Sequence, residues 1–189
     1  MPKKIINIST KTGDNGESGL ADGTRLPKSH LIFDTIGDLD ELNSWLGLVI
    51  AEVGDKKRYL KQVKMLKKMQ QVIYVVSAEI AGAKKSNKQI KVDKSFLIEL
   101  EELSSLIQEQ LVEGWHQKFL YPGGVKMAAY SDISRTVCRR LERTLAKLSQ
   151  EKPVRPVVFA IVNRFSDYLY LLRCYFNQQE KYSETELNI

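Results

Sequence analysis

Apolar residues recur every three or four positions through most of the chain after residue 35, and this spacing constrains the fold more than any other feature. Five such stretches are separated by short breakers, with almost no sustained alternation of the kind typical of strands. Each stretch must bury its apolar face against another, and short connections favour antiparallel neighbours. The sequence therefore predicts an all-α fold, a five-helix bundle that follows a glycine-rich N-terminal segment.

The breakers predict the bounds of the first three helices. The first helix is expected from about Gly37 to Val53, and the second from about Lys56 to Gly82. Residues 83–93 are typical of a solvated loop. Asp93 is a suitable N-cap for the third helix, which is expected to continue through Leu111 to the interruption at Gly114.

The Pro-Gly-Gly sequence at 122–124 opens the fourth predicted helix, which continues to about Gln150. Its expected core stripe is Ile133, Val137, Leu141, Leu145 and Leu148. Prolines at 153 and 156 introduce the fifth helix, which is expected to fray into a polar tail. We expect a single domain over 1–189, with the N-terminal segment at 1–35, five helices over 36–179 and the tail at 180–189.

Length and composition exclude several classes of protein. A chain of 189 residues can bury a core of its own, whereas its two cysteines, Cys138 and Cys174, are too few for a disulfide scaffold and lack metal-ligand spacing. No apolar run approaches the ~18 residues that span a bilayer, and the first residues lack the apolar stretch of a signal peptide. We therefore expect a cytoplasmic protein with no membrane partner.

The segment 9–23 contains four glycines together with hydroxyl, lysine and aspartate side chains. Such a segment can turn sharply and direct backbone N–H groups, hydroxyls and an ammonium at one anion, which is the chemistry of polyphosphate binding. The segment lacks the residue order of a Walker P-loop, and it also lacks the glutamate that an EF-hand needs at its twelfth position. A mobile glycine-rich arm is the alternative.

Positive charge is concentrated in the second half of the chain. Residues 123–173 contain ten Lys or Arg and four Asp or Glu, so their net charge of +6 equals that of the whole chain. Arg135, Arg139 and Arg143 recur every four residues along one side of the fourth helix, with Arg140 displaced by about 100°. Their mutual repulsion favours an anionic ligand or an acidic partner; a solvated basic face with Glu142 as counter-ion is the alternative.

The choice of arginine over lysine favours an anionic ligand over a solvated basic face. The chain has 20 lysines and 9 arginines, yet all four basic residues from 135 to 143 are arginine, which suits forked contacts with phosphate. A polar patch within the apolar fifth helix also needs a partner; it consists of Asn163, Arg164, Ser166 and Asp167. Asp38, Asp40 and Glu41 are expected in the first turns of the first helix, where acidic residues favour the helix dipole.

Five blocks of sequence, in order, resemble the PduO-type ATP:cob(I)alamin adenosyltransferases. They are TKTGDNG at 10–16, DELNS at 40–44, PGG at 122–124, RTVCRRLER at 135–143 and NRFSDYL at 163–169. The resemblance covers about residues 5–177. It implies a homotrimer with active sites at the subunit interfaces. It also implies an enzyme in which Co(I) of a reduced cobalamin or other corrinoid attacks C5′ of MgATP, giving adenosylcobalamin and triphosphate.

The resemblance also implies roles for single residues. The triphosphate would be bound by Thr10, Lys11, Gly13, Asp14, Ser18 and Lys28. The helical half of the ATP site would be formed by Arg139, Glu142, Asn163 and Arg164, with Glu142 as a candidate ligand for Mg²⁺. Catalytic roles are implied for Asp40, Arg135, Arg139 and Phe119, with Asp40 and Arg135 paired across the subunit boundary.

The corrinoid side would be formed by Phe119, Asp132 and Arg135, with Phe119 excluding the axial base from the lower face so that Co(II) can be reduced. Asp132 stands where many members have histidine, Ser18 replaces a common threonine, and Tyr121 replaces an aliphatic residue. Expected partners are a corrinoid reductase and an enzyme that accepts adenosylcobalamin.

Two other classes of function remain open at this point. One is a basic helical module that binds nucleic acid or an acidic protein. Binding of single-stranded nucleic acid favours aromatic residues that alternate with arginines, and none do so here. We therefore expect no nucleic-acid partner. The other is an ATP sensor without catalysis, which would use the same phosphate-binding residues.

Overall fold

The computed structural model describes residues 9, 11–83, 92–117 and 119–187. Within them lie a two-stranded antiparallel hairpin and five α-helices, which confirms the predicted all-α bundle. The elements are β1 (Glu17–Gly19), β2 (Arg25–Pro27), α1 (Leu31–Val53), α2 (Leu60–Ile80), α3 (Lys94–Gln108), α4 (Lys126–Leu148) and α5 (Pro156–Gln179). A short 3-10 helix, Lys57–Tyr59, precedes α2.

Helix α4 lies between α1 and α5 and packs closely on both, while α2 packs on the other side of α1 and α3 on α5. Helices α1 and α4 are antiparallel, because Trp45 faces Tyr130 near one end and Asp38 bonds to Thr144 near the other. One hydrophobic cluster draws buried side chains from all five helices. The helix with the arginine row, α4, and the helix with the polar patch, α5, are therefore direct neighbours in the bundle.

The first helix begins at Leu31, six residues before the predicted start. His30 caps it, since its Nδ1 accepts a hydrogen bond from the Ile32 N–H over 3.2 Å, and Ile32 and Thr35 extend the buried stripe. Asp38, Asp40 and Glu41 consequently lie beyond the first turn, and the prediction that they sit at the helix N-terminus is wrong.

Two further bounds differ from the predictions. Helix α2 begins at Leu60 because residues 57–59 wind as a 3-10 turn. Helix α3 ends at Gln108, which leaves Leu111 outside it. The predicted N-cap of α3 is confirmed, because Asp93 Oδ1 accepts from the Ser95 N–H over 2.9 Å. Of the predicted loop at 83–93, residues 84–91 lie outside the described residues.

The core stripe of α4 was predicted correctly except at Ile133, which is 38% exposed. The buried face passes instead through Ser131 and Ser134, which are both fully buried and donate their hydroxyls to carbonyls of their own helix. Serines are small, and when their hydroxyls bond within their own helix they can face a close helix contact; their polarity conceals this in the sequence.

Among the described helices, none is long and apolar enough to span a membrane.

Helix α5 ends at Gln179, close to the predicted end, but the described part of the tail, residues 180–187, is held by backbone pairing and does not fray. Leu120 and Glu186 form an antiparallel bridge, so residues after α5 return to the segment before α4. The prediction was wrong here because the side chains that bond to the tail lie on the buried face of α5. They meet the tail only in the folded chain, so no local sequence pattern reveals the contact.

Candidate active site

A tight turn over residues 11–16 brings together several residues that the sequence assigns to the triphosphate. The Asp14 N–H donates to the Lys11 carbonyl over 3.4 Å, and the Gly16 N–H donates to the Gly13 carbonyl over 3.3 Å. Lys11 and Gly16 have positive φ angles of 58° and 84°. Such a turn can direct successive N–H groups at an anion. Ser18 follows in β1 and is half-buried; Thr10 lies outside the described residues.

Lys28 lies directly against this turn. Its N–H donates to the Gly16 carbonyl over 2.8 Å. A Cβ added to Gly13 would fall 3.2 Å from Lys28 Nζ and 3.2 Å from the Glu17 carbonyl oxygen. Glycine at position 13 therefore leaves the space that the Lys28 ammonium occupies, and the predicted grouping of Lys28 with the glycine-rich turn is present in the structure.

Sequence reasoning missed Arg25, which fixes the hairpin. Its Nη2 donates to the Thr12 carbonyl over 2.7 Å, and its Nε lies 3.5 Å from Glu17 Oε2. The Ala21 N–H donates to the Ala81 carbonyl over 2.9 Å, which docks the hairpin on the end of α2. Strands of three residues are too short for an alternation of apolar and polar residues to be detected in the sequence. The hairpin, and with it the contact between Arg25 and Thr12, could therefore not be predicted.

The helical half of the site lies where α4 crosses α5. Asn163 Nδ2 donates to Glu142 Oε1 over 2.8 Å, and the Cys138 thiol contacts the Val162 carbonyl at 3.2 Å. Arg139 lies on the exposed side of the same crossing, one helical turn from Glu142. The structure therefore brings Glu142 and Asn163 together, and burial of the Cys138 thiol raises its pKa far above the ordinary value.

Arg164 lies at the same crossing but already has partners. Its guanidinium bonds to Asp167, one turn along α5, and its Nε lies 3.7 Å from Glu101 on α3. Both pairs are largely exposed, so an anionic ligand can compete with them at little cost in free energy.

Three of the four arginines between 135 and 143 bond to acceptors within the chain. Arg135 Nε donates to Asp132 Oδ1 over 2.7 Å, and Arg143 Nη1 donates to the carbonyl of its own helix at Arg139 over 2.9 Å. The guanidinium of Arg139 is the exception: within residues 9, 11–83, 92–117 and 119–187 it has no hydrogen bond or ion pair. Glu142 forms no ion pair with these arginines among the described residues; its carboxylate accepts from Asn163.

Arg140 has a structural partner that the sequence did not predict. Its Nε donates to Asp38 Oδ1 over 2.8 Å, its Nη2 bonds to Glu41, and Asp38 also accepts from the Thr144 hydroxyl over 2.6 Å. The Asp38 hydrogen bond is the largest cause of a raised Arg140 pKa. These contacts connect α1 to α4 and give Asp38 and Glu41 a structural role.

Asp132 and Arg135, two of the residues assigned to the corrinoid, lie in the N-terminal half of α4, and Phe119 precedes this helix. Asp132 is buried and bonds to Arg135 within the helix. Asp40 is exposed on α1 and has no ion pair in the part of the chain that the structure describes. Phe119 is 76% exposed. The proposed pair between Asp40 and Arg135 joins two chains and stays a prediction.

A divalent cation would find one suitable side chain at the α4–α5 crossing. Among the described residues, no group of three or more His, Cys, Asp or Glu could hold a metal ion. A single carboxylate such as Glu142 nevertheless fits Mg²⁺ that arrives with a nucleotide, because Mg²⁺ takes most of its ligands from phosphates and water.

A helical bundle with a lysine- and glycine-rich turn, and with an arginine at a helix crossing that has no partner in the described ranges, is typical of proteins that bind a phosphorylated small molecule. Comparison with known proteins identifies the family. Residues 8–176 match the cobalamin adenosyltransferase family model, and the chain belongs to this family.

Relatives with curated names agree with this assignment. The chain is 36% identical over 170 residues to the corrinoid adenosyltransferase PduO of Salmonella typhimurium, covering 87% of this chain and 48% of that protein. It thus spans about half the length of that relative. It is 31% identical over 167 residues to the corrinoid adenosyltransferase of Bacillus subtilis, covering 87% of this chain and 83% of the relative.

Solved structures show the same fold. A variant of the PduO-type ATP:corrinoid adenosyltransferase from Lactobacillus reuteri, complexed with cobalamin and ATP, superposes with a TM-score of 0.82 and 26% identity, covering 96% of this chain and 95% of that one. Another variant of that enzyme, complexed with ATP, gives a TM-score of 0.83 and 25% identity over 96% of this chain and 100% of that one.

Proposed function

We propose that this chain transfers the 5′-deoxyadenosyl group of ATP to the Co(I) centre of a reduced corrinoid. The cobalt electron pair forms the bond to C5′, the C5′–oxygen bond breaks, and triphosphate leaves with the electrons of that bond. The metal of the substrate is itself the nucleophile, so the protein must hold C5′ in line, neutralise the leaving group and exclude water. Burial raises the pKa of the Cys138 and Cys174 thiols, which suits a site that needs no cysteine nucleophile.

The leaving triphosphate would be neutralised from two directions. The ammonium groups of Lys11 and Lys28 and the N–H groups of the turn around Gly13 supply donors on the hairpin, with Ser18 and Thr10 adding hydroxyls. Asp14 acts through the turn that its N–H closes, because a bare carboxylate would repel phosphate. Charge that develops on a leaving group is stabilised most by donors that are positioned in advance.

The helical half would bind the nucleotide with Arg139, Arg164 and Asn163. Arg139 is free to make forked contacts with phosphate oxygens, and Asn163 holds the Glu142 carboxylate in place. Bound with ATP, Mg²⁺ would reduce the charge of the triphosphate, and the Glu142 carboxylate is the side chain placed to hold it.

The corrinoid would bind near Phe119, Asp132 and Arg135. The exposed ring of Phe119 would cover the lower face of the corrin and exclude the axial base, while Asp132 orients Arg135. Asp40 of a neighbouring subunit would then meet Arg135. This pairing requires the active site to lie between copies, as in the homotrimer that the family resemblance implies.

We place the enzyme in the cytoplasm with a corrinoid reductase and an adenosylcobalamin-dependent acceptor enzyme as partners. The observation that carries the proposal is Arg139, which has no acceptor among the described residues, beside the Glu142–Asn163 bond in a member of this family. The nucleic-acid alternative is weakened because, among the described residues, Arg135 and Arg140 are already paired with carboxylates of the same chain.

An assay of the purified protein with MgATP and chemically reduced cob(I)alamin tests the proposal. We expect a light-sensitive alkylcobalamin spectrum and one triphosphate released for each corrinoid alkylated. Tight ATP binding without this product would instead identify a sensor. Binding to nucleic acid that falls steeply with salt, without either result, would identify a basic module.

A further inference from the structure

The segment that carries Phe119 is paired with the chain that follows α5. The Leu187 N–H donates to the Phe119 carbonyl over 2.7 Å, and the Tyr121 N–H donates to the Thr185 carbonyl over 3.0 Å. Leu120 and Glu186 form the antiparallel bridge between them. We call residues 184–187 the strap. It fixes the backbone of Phe119, while the ring itself remains exposed.

A buried polar cluster on α5 anchors the strap. Glu184 Oε1 lies 2.9 Å from Arg173 Nη2 and accepts from Asn177 Nδ2 over 2.8 Å. Arg173 is 3% exposed and Asn177 is 0% exposed. A cation buried so deeply is costly unless a carboxylate pairs with it, and Glu184 is the only carboxylate bridged to Arg173 among the described residues.

The same cluster holds the loop that follows Phe119. Arg173 Nη2 donates to the Tyr121 carbonyl over 2.9 Å, and Asn177 accepts from the Val125 N–H over 3.0 Å. A Cβ added to Gly124 would lie 2.0 Å from Asn177 Oδ1, so Gly124 is required by this contact. Two buried side chains therefore bind both the strap and the residues from Tyr121 to Val125, and displacement of either segment would leave part of their hydrogen-bonding capacity unsatisfied.

We propose that the strap, anchored by Glu184, is a positioning element that sets the place of Phe119 at the corrinoid face. This inference rests on the role proposed above for Phe119. Glu184, Thr185 and Leu187 of the strap bond to α5 and to the Phe119–Tyr121 segment, so loss of these contacts should spare ATP binding. It should affect the step that needs the axial base excluded, which is the reduction of Co(II).

Two kinds of variant test the strap. Glu184→Ala removes the anchor, and Ser183→Ala is its matched control on the neighbouring exposed residue. Leu187→Pro removes the N–H that bonds to the Phe119 carbonyl, whereas Leu187→Ala keeps it. Leu187 is an exposed residue at the edge of the pairing, so this second pair decides the question even if loss of Glu184 prevents folding.

Each variant is assayed with Co(II) plus reductant, with chemically reduced Co(I), and for ATP affinity. Since small misplacements at a reacting centre cost up to about a hundredfold, we expect Glu184→Ala and Leu187→Pro to lose about tenfold or more from Co(II) but less than about twofold from Co(I). The ATP affinity and both control variants should match the unmodified chain. Equal losses in the two assays, or none, would overturn the proposal.

Phe119→Ala separates failure of the strap from failure of the underlying function. If Phe119→Ala loses Co(II)-started activity selectively and the strap variants do not, the strap proposal is wrong and the Phe119 role stands. If Phe119→Ala loses both activities equally, the Phe119 role is itself wrong. Adding Glu184→Ala to Phe119→Ala should cause no further selective loss of Co(II)-started activity, because both changes act through the position of the Phe119 ring.

Discussion

Arg139 and Arg140 are neighbours of the same type, yet the structure gives them opposite environments. Arg140 is bound by Asp38 and Glu41, whereas Arg139 has no acceptor in the described ranges. The sequence could predict that the arginines of α4 form a binding site for an anion. It could not predict which arginine stays free, because the acceptors of Arg140 lie about a hundred residues away on another helix.

Arg139→Ala should lower adenosyl transfer by about a hundredfold or more, since loss of one positioned donor to a developing charge has an effect of this size. The fold should be unchanged because the side chain is exposed. Steady-state assays and thermal unfolding check both statements. Lys147→Ala, another exposed cation on α4, is the control; turnover of Arg139→Ala equal to that of the control would refute the assignment.

Arg140→Ala should give the reverse pattern. Its ion pairs with Asp38 and Glu41 are partly exposed, so the free energy of unfolding should fall by about 1 kcal/mol or less, and less again at high salt. Turnover should remain close to that of the unmodified chain. Chemical denaturation at two salt concentrations measures the effect, and a loss of activity as large as for Arg139→Ala would contradict it.

Among the elements, α5 was the most predictable, because Pro156 and an unbroken apolar period define it locally. The start of α1 and the paired tail were not predictable. The first depends on a histidine acting as N-cap, and the second on polar side chains that face the bundle interior. Local patterns therefore set the helices, while contacts between distant segments set their ends and the arrangement of the site.

The hairpin offers a test at the scale of an element. Gly13→Ala places a methyl group 3.2 Å from both Lys28 Nζ and the Glu17 carbonyl, so it should displace the ammonium and raise the KM for ATP several-fold. Gly19→Ala is the matched control in the same hairpin, because its Cβ would meet only Arg25 Nη1 at 4.0 Å. Thermal stability should change little in either variant, and equal KM values for ATP would argue against this role of Gly13.

At the scale of the whole molecule, the proposed trimer predicts that two inactive variants can rescue each other. If Lys11 and Arg139 of different subunits form one site, random co-assembly of Lys11→Ala with Arg139→Ala chains should restore about a quarter of the sites. The chains are mixed by unfolding and refolding together, and the mass of the assembly is measured beside its activity. Mixed trimers without recovered activity would place both residues in one subunit.

Both cysteines of the molecule lie in the packed interior, one at the α4–α5 crossing and one on the buried face of α5. Burial raises the pKa of each thiol, so little thiolate forms near neutral pH. A colorimetric disulfide reagent should therefore modify the native protein only through transient opening of the bundle, whereas the denatured chain should react at once. Where the native rate rises in proportion to the reagent concentration, its ratio to the denatured rate gives the local free energy of opening of the helix pair that carries Arg139, without any engineered label.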